Sequence, residues 1–531
     1  MLFRSRIAAQ LAARGGALPR IASHWQAAGR WAQAGQAFSD AAAQIGKQLR
    51  NFEEAALLEQ AAACWVAAGD AAAEAEVCWR LHWAQWRRKD RPAMRAAVAR
   101  LQALREVSPQ ARWHALAAAG QLGFDERHDE ASLQQVIQAR ALAESLGDAG
   151  PALWLLSVQA HCTALLNRPQ ELLDMARRCQ VAFDALPHDF YTIGAMQNMG
   201  SALELCGHLA PAEAMLHRAQ AAYRAWDDPG GVADAQCFSS VCAHQMGRID
   251  EAAELLQRGR QVLAEINGGR AEVHTADIYQ GRYWRDQGRL AEALALLEDG
   301  HRRTAQHGEI NLHAGLCIEL GLTYLALGQT HRVHALVVRP RQVPKLQVQL
   351  EGLLLEAELA AVEARAPLPF IERAQALVPQ CPRAQRYGWR VAAALSAFQP
   401  AEQAVPLLQT VIDEARAAQT WSHEGPARVR LVEAFLSAGQ VAAAHRQATA
   451  LARLLEMAPP MMLQAGEYYW ALACAFESAG DVQARRDILR TASQRIETQA
   501  SLSVPDAFRD SFLNRNPFNR QLRAAAGRLV A

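Results

Sequence analysis

The sequence predicts an all-α fold, a right-handed α-solenoid of about a dozen helix pairs with a period of about 40 residues. A short phrase that contains a glycine returns after 40 or 41 residues, for example from Gly29 to Gly69 and from Gly207 to Gly247. Between these glycines, apolar residues recur at the i, i+3, i+4 and i+7 positions of one helical face. No segment longer than a few residues alternates with period two, which argues against a β-sheet.

The glycine of each phrase is predicted to end one helix and to open the turn into the next. Glycine suits this position because it has no Cβ and adopts the left-handed conformation that commonly closes a helix. After Gly288, the residues Leu290, Ala293, Leu294 and Leu297 form the apolar stripe of the following helix. We therefore expect a structural role in the repeat turns for eight glycines: Gly29, Gly69, Gly207, Gly247, Gly288, Gly328, Gly439 and Gly480.

The repeats divide the chain into five predicted segments. Prolines in phrases such as "VVRPRQVPK" and "VPQCPR" interrupt the repeat register between residues 337 and 400, because proline cannot continue a helix interior. The predicted segments are an N-terminal helix (1–20), a first solenoid lobe (21–336), degenerate repeats or a hinge (337–400), a second solenoid lobe (401–500) and a C-terminal cap (501–531).

The composition argues against several classes of partner. Lys and Arg number 55 against 54 Asp and Glu, so the net charge of +1 gives no global attraction to nucleic acid or to an anionic membrane. The ten cysteines are scattered through apolar helical segments, as buried free thiols are, which favours the cytosol. We find no secretory signal and no apolar stretch of the roughly 18–20 residues that a membrane span needs. A cytoplasmic protein without membrane contact is expected.

The repeated phrase resembles the tetratricopeptide repeat. The segments "GRIDEAAELL" from Gly247 and "GRLAEALALL" from Gly288 are similar to the turn and second helix of that repeat, with the period stretched from its usual 34 residues. Aromatic residues precede the turn at Trp25, Trp65 and Tyr283, as in the family, but the proline that often closes the repeat is mostly missing. The resemblance implies a binding or scaffold fold and leaves the partner open.

The two ends of the chain resemble a narrower group, the bacterial signal-transduction ATPases and transcriptional regulators that carry helical-repeat arms. Residues 20–38, "RIASHWQAAGRWAQAGQAF", are similar to the segment that opens such an arm, and residues 508–526, "FRDSFLNRNPFNRQLRAAA", to the segment that closes it. The phosphate-binding loop of the group is missing from this sequence, since the pair Gly46–Lys47 is followed by Gln48. The resemblance implies a sensing arm without the ATPase and DNA-binding modules.

A tryptophan-rich basic run at residues 79–91 is the clearest candidate contact surface. Trp79, Trp83 and Trp86 lie at i, i+4 and i+7 and therefore share one helical face. They could hold single-stranded nucleic acid or an acidic peptide by stacking, or they could pack between helices beneath a solvated basic flank. The basic residues of the run are Arg80, Arg87, Arg88, Lys89 and Arg91.

No catalytic residue, cofactor or metal site is predicted. His301, His307 and His313 are six positions apart, and on a single helix this spacing turns each by about 240° from the last and keeps them off one face. His331 and His334 lie at i, i+3 without a visible third ligand. The sequence also contains no H-E-x-x-H, G-x-S-x-G or dinucleotide-binding glycine motif, so an enzyme is not expected.

The sequence therefore favours a non-enzymatic scaffold that holds a protein or peptide partner on the concave face of the solenoid. The resemblance of the chain ends narrows this hypothesis to the sensing or interaction arm of a bacterial signalling or transcription regulator. Two alternatives stay open: a sensor that binds a small-molecule inducer inside the superhelix, and a nucleic-acid-binding protein that uses residues 79–91. Direct contact with nucleic acid is the less favoured of the two, given the balanced charge.

Overall fold

The computed structural model describes residues 2–14, 16–46, 50–88, 90–127, 129–166, 168, 171–267, 271–307, 310–381 and 383–530. Within these ranges every regular element is helical, with 28 α-helices, three short 3₁₀ turns and no strand. Alanine and leucine have the highest helix propensities, and they fill the segments between the turns. The predicted all-α class is confirmed.

The first fourteen helices, in chain order, are α1 (Leu2–Ala13), α2 (Leu18–Ala27), α3 (Trp31–Gly46), α4 (Asn51–Ala68), α5 (Ala71–Arg88), α6 (Arg91–Leu104), α7 (Pro109–Arg127), α8 (Glu130–Ser145), α9 (Ala149–Leu165), α10 (Leu172–Ala185), α11 (Phe190–Leu205), α12 (Leu209–Ala225), α13 (Pro229–Gln245) and α14 (Ile249–Asn267). The next fourteen are α15 (Ala271–Asp286), α16 (Leu290–His307), α17 (Ile310–Ala326), α18 (Thr330–Leu336), α19 (Leu346–Val362), α20 (Leu368–Leu377), α21 (Ala384–Ser396), α22 (Ala401–Ala417), α23 (Trp421–Ser437), α24 (Val441–Leu455), α25 (Ala465–Ser478), α26 (Val482–Leu502), α27 (Arg509–Asn514) and α28 (Pro517–Val530). The 3₁₀ turns lie at Arg339–Gln342, Val378–Gln380 and Asp506–Phe508.

The repeat turns have one recurring geometry. All eight glycines expected there have left-handed backbones, with φ between 67° and 87°. At Gly69 the glycine N–H donates to the carbonyl of Val66 over 3.1 Å, and the N–H of Asp70 donates to that of Trp65 over 3.1 Å. These two bonds pair carbonyls that the end of α4 would leave without a partner. The Asp70 side chain then accepts from the N–H of Ala73 and caps α5. The chain is thus an all-α helical-repeat protein.

Several turns reach the same conformation without following the glycine period. Gly147, at φ 78°, closes α8 and lies 60 residues before Gly207, so the 40-residue interval does not find it. Five residues with side chains also have positive φ: Asp227, Ala364, Arg383, Gln419 and Met462. A left-handed backbone costs a non-glycine residue about 1–2 kcal/mol. The surrounding helix pairs must offset that cost at these positions.

This cost predicts opposite effects at two turns. Ala364→Gly should raise the free energy of unfolding by about 1 kcal/mol, because it removes the strain at φ 55°. Gly439→Ala should lower the free energy of unfolding by a similar amount, because φ is 67° at this position. A Cβ there would meet no atom within 4 Å, so backbone strain is the main cost of the substitution. Urea unfolding of both variants measures the two shifts. Shifts of the same sign in both variants would contradict the account.

The chain folds into two compact units. Unit 1 comprises Met1–Leu203, Ala214–Gln236 and Gly259–Val273, and unit 2 comprises Glu204–Glu213, Cys237–Arg258 and His274–Ala531. Each unit buries its own apolar clusters, built in unit 1 on side chains such as Phe38 and Leu58 and in unit 2 on side chains such as Leu408 and Tyr468. Among the helices of the described ranges, none combines the length and apolar character needed to cross a membrane.

The segment at 337–400 consists mainly of helices. It carries α19, α20 and α21, which enclose a buried cluster that includes Leu353, Ile371 and Tyr387. The prolines of this segment that the structure describes lie in the connections and at the start of α20, where they do not remove an interior hydrogen bond. The division of the chain into five segments, with a hinge here, stays a prediction.

Candidate functional site

The tryptophan run of α5 is only partly interior to unit 1, since Trp79 is buried while Trp83 and Trp86 are half-buried. Trp79 is 2% exposed, and its Nε1 donates to the hydroxyl of Tyr191 over 2.9 Å. The indole stacks on His114 with ring centroids 4.7 Å apart and meets Trp113 edge-on at 5.3 Å. Trp83 meets Trp154 edge-on at 5.1 Å. We call this group of rings (Trp79, His82, Trp83, Trp113, His114, Trp154, Phe190 and Tyr191) the Trp79 cluster.

Three of the arginines in the run bind other side chains or carbonyls of unit 1. Arg80 donates to the carbonyl of Ser39 over 3.1 Å, and Arg87 donates to Asn51 and pairs with Glu54. Arg88 donates to Gln85 and Asp90 and lies over the ring of Phe52 at 4.5 Å. Lys89 lies outside the described residues. The role of the run in holding a partner stays a prediction, and the buried Trp79 ring offers no free face for it.

Two histidines of the Trp79 cluster are buried as neutral bases. Burial lowers the pKa of His82 to about 4, although a hydrogen bond with Gln121 at 3.4 Å opposes this shift. Burial also lowers the pKa of His114 to about 3. Protonating either ring would place a charge among aromatic side chains. The cluster should therefore be sensitive to acid.

We expect the free energy of unfolding to fall as the pH drops below about 6.5, where histidines of the unfolded chain take up protons and these two do not. Because the unfolded state then binds more protons, each histidine costs about 2 kcal/mol at pH 5, and the loss is complete below its folded pKa. Urea unfolding at pH 7.5 and pH 5 tests this effect. His114→Gln should lose part of the pH dependence, whereas His331→Gln, at an exposed histidine, should keep all of it. An unchanged dependence in His114→Gln would contradict the assignment.

A cavity of about 390 Å³ lies within unit 2 and is the best candidate binding site of the molecule. Its walls come from α19, α20, α21, α23, the start of α25 and the start of α28. Most of the lining is apolar, with Leu354, Trp389, Phe398 and Phe518 among the larger side chains. We call it the Trp389 cavity. The indole Nε1 of Trp389 donates to Glu414 over 2.7 Å, which fixes the ring in the wall.

Charged groups also face the Trp389 cavity. Glu358 and Arg390 approach to 4.0 Å between Oε1 and Nη2, and neither side chain makes a hydrogen bond in the part of the chain that the structure describes. Arg430 is more firmly held, because it donates to Glu433 and Glu467 over 2.8 Å each. Glu358 and Arg390 therefore keep hydrogen-bonding capacity that a ligand could use.

Protonation in the Trp389 cavity is set mainly by burial. Burial raises the pKa of Glu358 to about 7, although Arg390 opposes the rise, and it also raises the pKa of Glu467. Burial lowers the pKa of His423 to about 3, and the nearby charges of Arg386 and Arg390 add to the effect. At neutral pH the site thus holds an uncharged imidazole and a carboxyl that is partly ionised.

One pair in this wall resembles a nucleophile and its base. The Oγ of Ser422 lies 3.0 Å from Nδ1 of His423. A general base works best with a pKa near the operating pH, and a pKa of about 3 makes His423 too weak to activate a hydroxyl at neutral pH. Ser422 is also 2% exposed. The pair is therefore better explained as a buried hydrogen bond than as a catalytic dyad.

His301 and His313 lie close together, contrary to the expectation from their spacing, because they lie on two different helices. His301 lies on α16 and His313 on α17, and their ring centroids are 4.4 Å apart. Cys317, one turn after His313, joins them. The His313-x-x-x-Cys317 spacing was the signal available in the sequence. The side chain of His307 lies outside the described residues.

Sequence reasoning also missed the Trp389 cavity. Its lining side chains come from helices between positions 354 and 521, and no short motif connects them. The proline-broken phrases around Pro367 marked the region as irregular but gave no indication that one of its prolines lines a cavity.

No protein-family model and no curated protein matches the chain. Solved structures that are similar to it include the following three, each at low identity. The hetero-tetramer Cut9–Hcn1 of the APC/C aligns with a TM-score of 0.45 at 11% identity, over 91% of this chain and 95% of that chain. A monomeric IFIT1 mutant with Gppp-AAAA aligns with a TM-score of 0.34 at 13% identity, over 71% of this chain and 90% of that chain. Yeast Tom70 aligns with a TM-score of 0.34 at 12% identity, over 96% of this chain and 95% of that chain. The assignment of this protein as a helical-repeat protein depends on its own helices and turns.

Proposed function

We propose that this protein is a non-enzymatic helical-repeat scaffold that holds a protein or peptide partner through the Trp389 cavity. The observation that carries the proposal is the cavity itself, an apolar space of about 390 Å³ with a loosely paired carboxylate and guanidinium in its wall. Helical repeats build extended binding surfaces from such walls. A cavity of this size accepts an apolar anchor side chain, and anchors of this kind dominate the affinity of protein interfaces.

The charged pair supplies specificity in this proposal. Arg390 has guanidinium donors without a hydrogen-bonded partner in the described chain, so it can bind a carboxylate or a backbone carbonyl of the partner. Glu358 can accept from a backbone N–H or from a cationic side chain. A partner peptide would therefore combine a large apolar residue with polar groups beside it. The weak nucleophile and base in the same wall support a binding role over a catalytic one.

Filling the Trp389 cavity tests the proposal. Peptides selected on the full chain from a random displayed library should bind Ala361→Trp at least tenfold more weakly, a loss of about 1.4 kcal/mol, as measured by calorimetry. Ala361 lines the cavity and is exposed, so the indole can enter the space without displacing core residues. The matched control is Ala442→Trp, at an exposed alanine of α24 that does not line the cavity. Equal affinities in both variants would refute the assignment.

A small-molecule sensor is the second candidate, and the cavity volume favours it. Small-molecule sites commonly measure about 300–1,000 Å³ and combine apolar walls with a few polar groups, as this one does. Trp389 would report occupancy through its fluorescence. A metabolite panel should contain a compound that changes the emission of the wild type saturably and leaves Trp389→Phe unaffected. A flat response across the panel would leave the peptide proposal as the account of the cavity.

We further propose that the protein acts as the sensing or interaction arm of a bacterial signalling or transcription regulator. The support is the resemblance of residues 20–38 and 508–526 to the segments that open and close such arms. Sequencing the gene and transcript upstream of Met1 tests this assignment. An open reading frame that encodes G-x-x-x-x-G-K-[ST] and a winged helix would support it. A stop codon and ribosome-binding site directly before Met1 would favour a free-standing scaffold.

A further inference from the structure

We infer that His301, His313 and Cys317 form a binding site for a zinc-class transition metal ion in unit 2. One ligand atom from each of the three side chains lies within 4.8 Å of the other two. His301 comes from α16, whereas His313 and Cys317 are at i, i+4 on α17 and therefore share one face of that helix. Imidazole nitrogens and thiolates are both ligands that zinc uses in proteins.

The hydrogen bonds around Thr304 prepare His313 for this role. The Thr304 hydroxyl donates its single proton to a backbone carbonyl, that of Gly300 at 2.9 Å or that of His301 at 3.2 Å. The same oxygen lies 3.1 Å from Nδ1 of His313, and when its proton goes to a carbonyl it can accept from Nδ1–H. This tautomer leaves the lone pair of Nε2 for a metal, as second-shell bonds do in known metal sites.

The burial of the three ligands suits a site that exchanges its ion with solvent. Cys317 is 2% exposed, whereas the two histidines are half-buried. Three protein ligands leave the fourth tetrahedral position to water or to a donor atom of a partner. Coordination would release the thiol proton of Cys317 to solvent. The positive charge of Arg339 lies nearby, but this side chain is exposed and water screens it.

Cobalt(II) is the probe that tests this site, because a thiolate bound to it gives a charge-transfer absorption band that nitrogen and oxygen ligands do not give. The full chain, freed of metal by a chelator and dialysed, should bind one Co²⁺ with this band, and Zn²⁺ should displace it. Cys317→Ser should abolish the band. Thr304→Val, which removes the bond that orients His313, should weaken Co²⁺ binding by about 10–100-fold.

Two controls separate the site from adventitious binding. Cys162→Ser changes a cysteine of unit 1 that is 3% exposed, and His331→Gln changes an exposed histidine, so both should keep the wild-type band and affinity. His301→Gln, at a half-buried position, should bind Co²⁺ more than 100-fold more weakly while its far-ultraviolet circular dichroism stays native. If Cys317→Ser does not fold, the result for His301→Gln tests the site in its place. A wild type without the band, or a band that persists in both Cys317→Ser and His301→Gln, would overturn the inference.

Discussion

Trp79→Ala is expected to lower the free energy of unfolding of unit 1 by about 3–5 kcal/mol. The indole is 2% exposed and contacts the rings of His114, Trp113 and Trp154, so its removal leaves a cavity that the neighbouring helices cannot fill. It also removes the donor that bonds the hydroxyl of Tyr191. Urea unfolding followed by hydrogen exchange of unit 1 peptides measures the loss.

The matched control for this prediction is Trp31→Ala on α3. Trp31 is 37% exposed and belongs to the same unit, so its truncation should cost less than about 1 kcal/mol. If Trp79→Ala destabilised unit 1 no more than Trp31→Ala does, the Trp79 cluster would not be the core that the ring packing indicates. The buried stripe would then have to be reconsidered as a surface for a partner.

Glu204→Ala is expected to lower the stability of unit 2 by about 3–5 kcal/mol, because it leaves the buried guanidinium of Arg386 and the half-buried one of Arg383 without their counter-ion. Glu204, at the end of α11, pairs with Arg383 at 2.9 Å and with Arg386 at 2.8 Å, and it accepts from Gln245 at 2.6 Å. Burial opposes its ionisation, but the two arginines outweigh burial and lower its pKa to about 2. Urea unfolding followed through unit 2 peptides measures the change.

The stability lost in Glu204→Ala should depend on pH in a way that identifies the ionised carboxylate as its cause. A glutamate with a lowered folded pKa contributes stability above its unfolded pKa of about 4.3, and that stability is lost as the pH falls towards 2. The difference between the wild type and Glu204→Ala should therefore be full at pH 7 and shrink below about pH 4. The control is Glu254→Ala, whose partner Arg258 is exposed, and it should cost about 0–1 kcal/mol. Equal costs for the two variants would contradict the network.

Local chemistry explains why the fold was predictable from sequence. A left-handed turn favours glycine strongly, so Gly247 and Gly288 indicate it, whereas Ala364 and Gln419 make the same turn without a recognisable residue. The helix period placed Trp79 and Trp83 on one face. It could not reveal that Trp113 and Trp154 come from other helices to complete the cluster, because those ring contacts depend on how the helices pack.

The candidate sites were beyond sequence reasoning for the same reason. The Glu358–Arg390 pair bridges α19 and α21, and neither residue belongs to a motif. The two histidines at 301 and 313 were excluded as a pair by a rotation that holds only within one helix, and the chain turns between them. Tertiary packing, which one sequence does not display, decides both sites.

The most direct test of the central claim is hydrogen–deuterium exchange of the full chain with and without a peptide selected for binding. If the Trp389 cavity holds the partner, exchange should slow in the peptides that cover residues 354–362, 389–398 and 422–430, and Ala361→Trp should abolish the protection. Protection confined to residues 79–91, or to any segment that does not line the cavity, would contradict the account and return the search to the rest of the molecule.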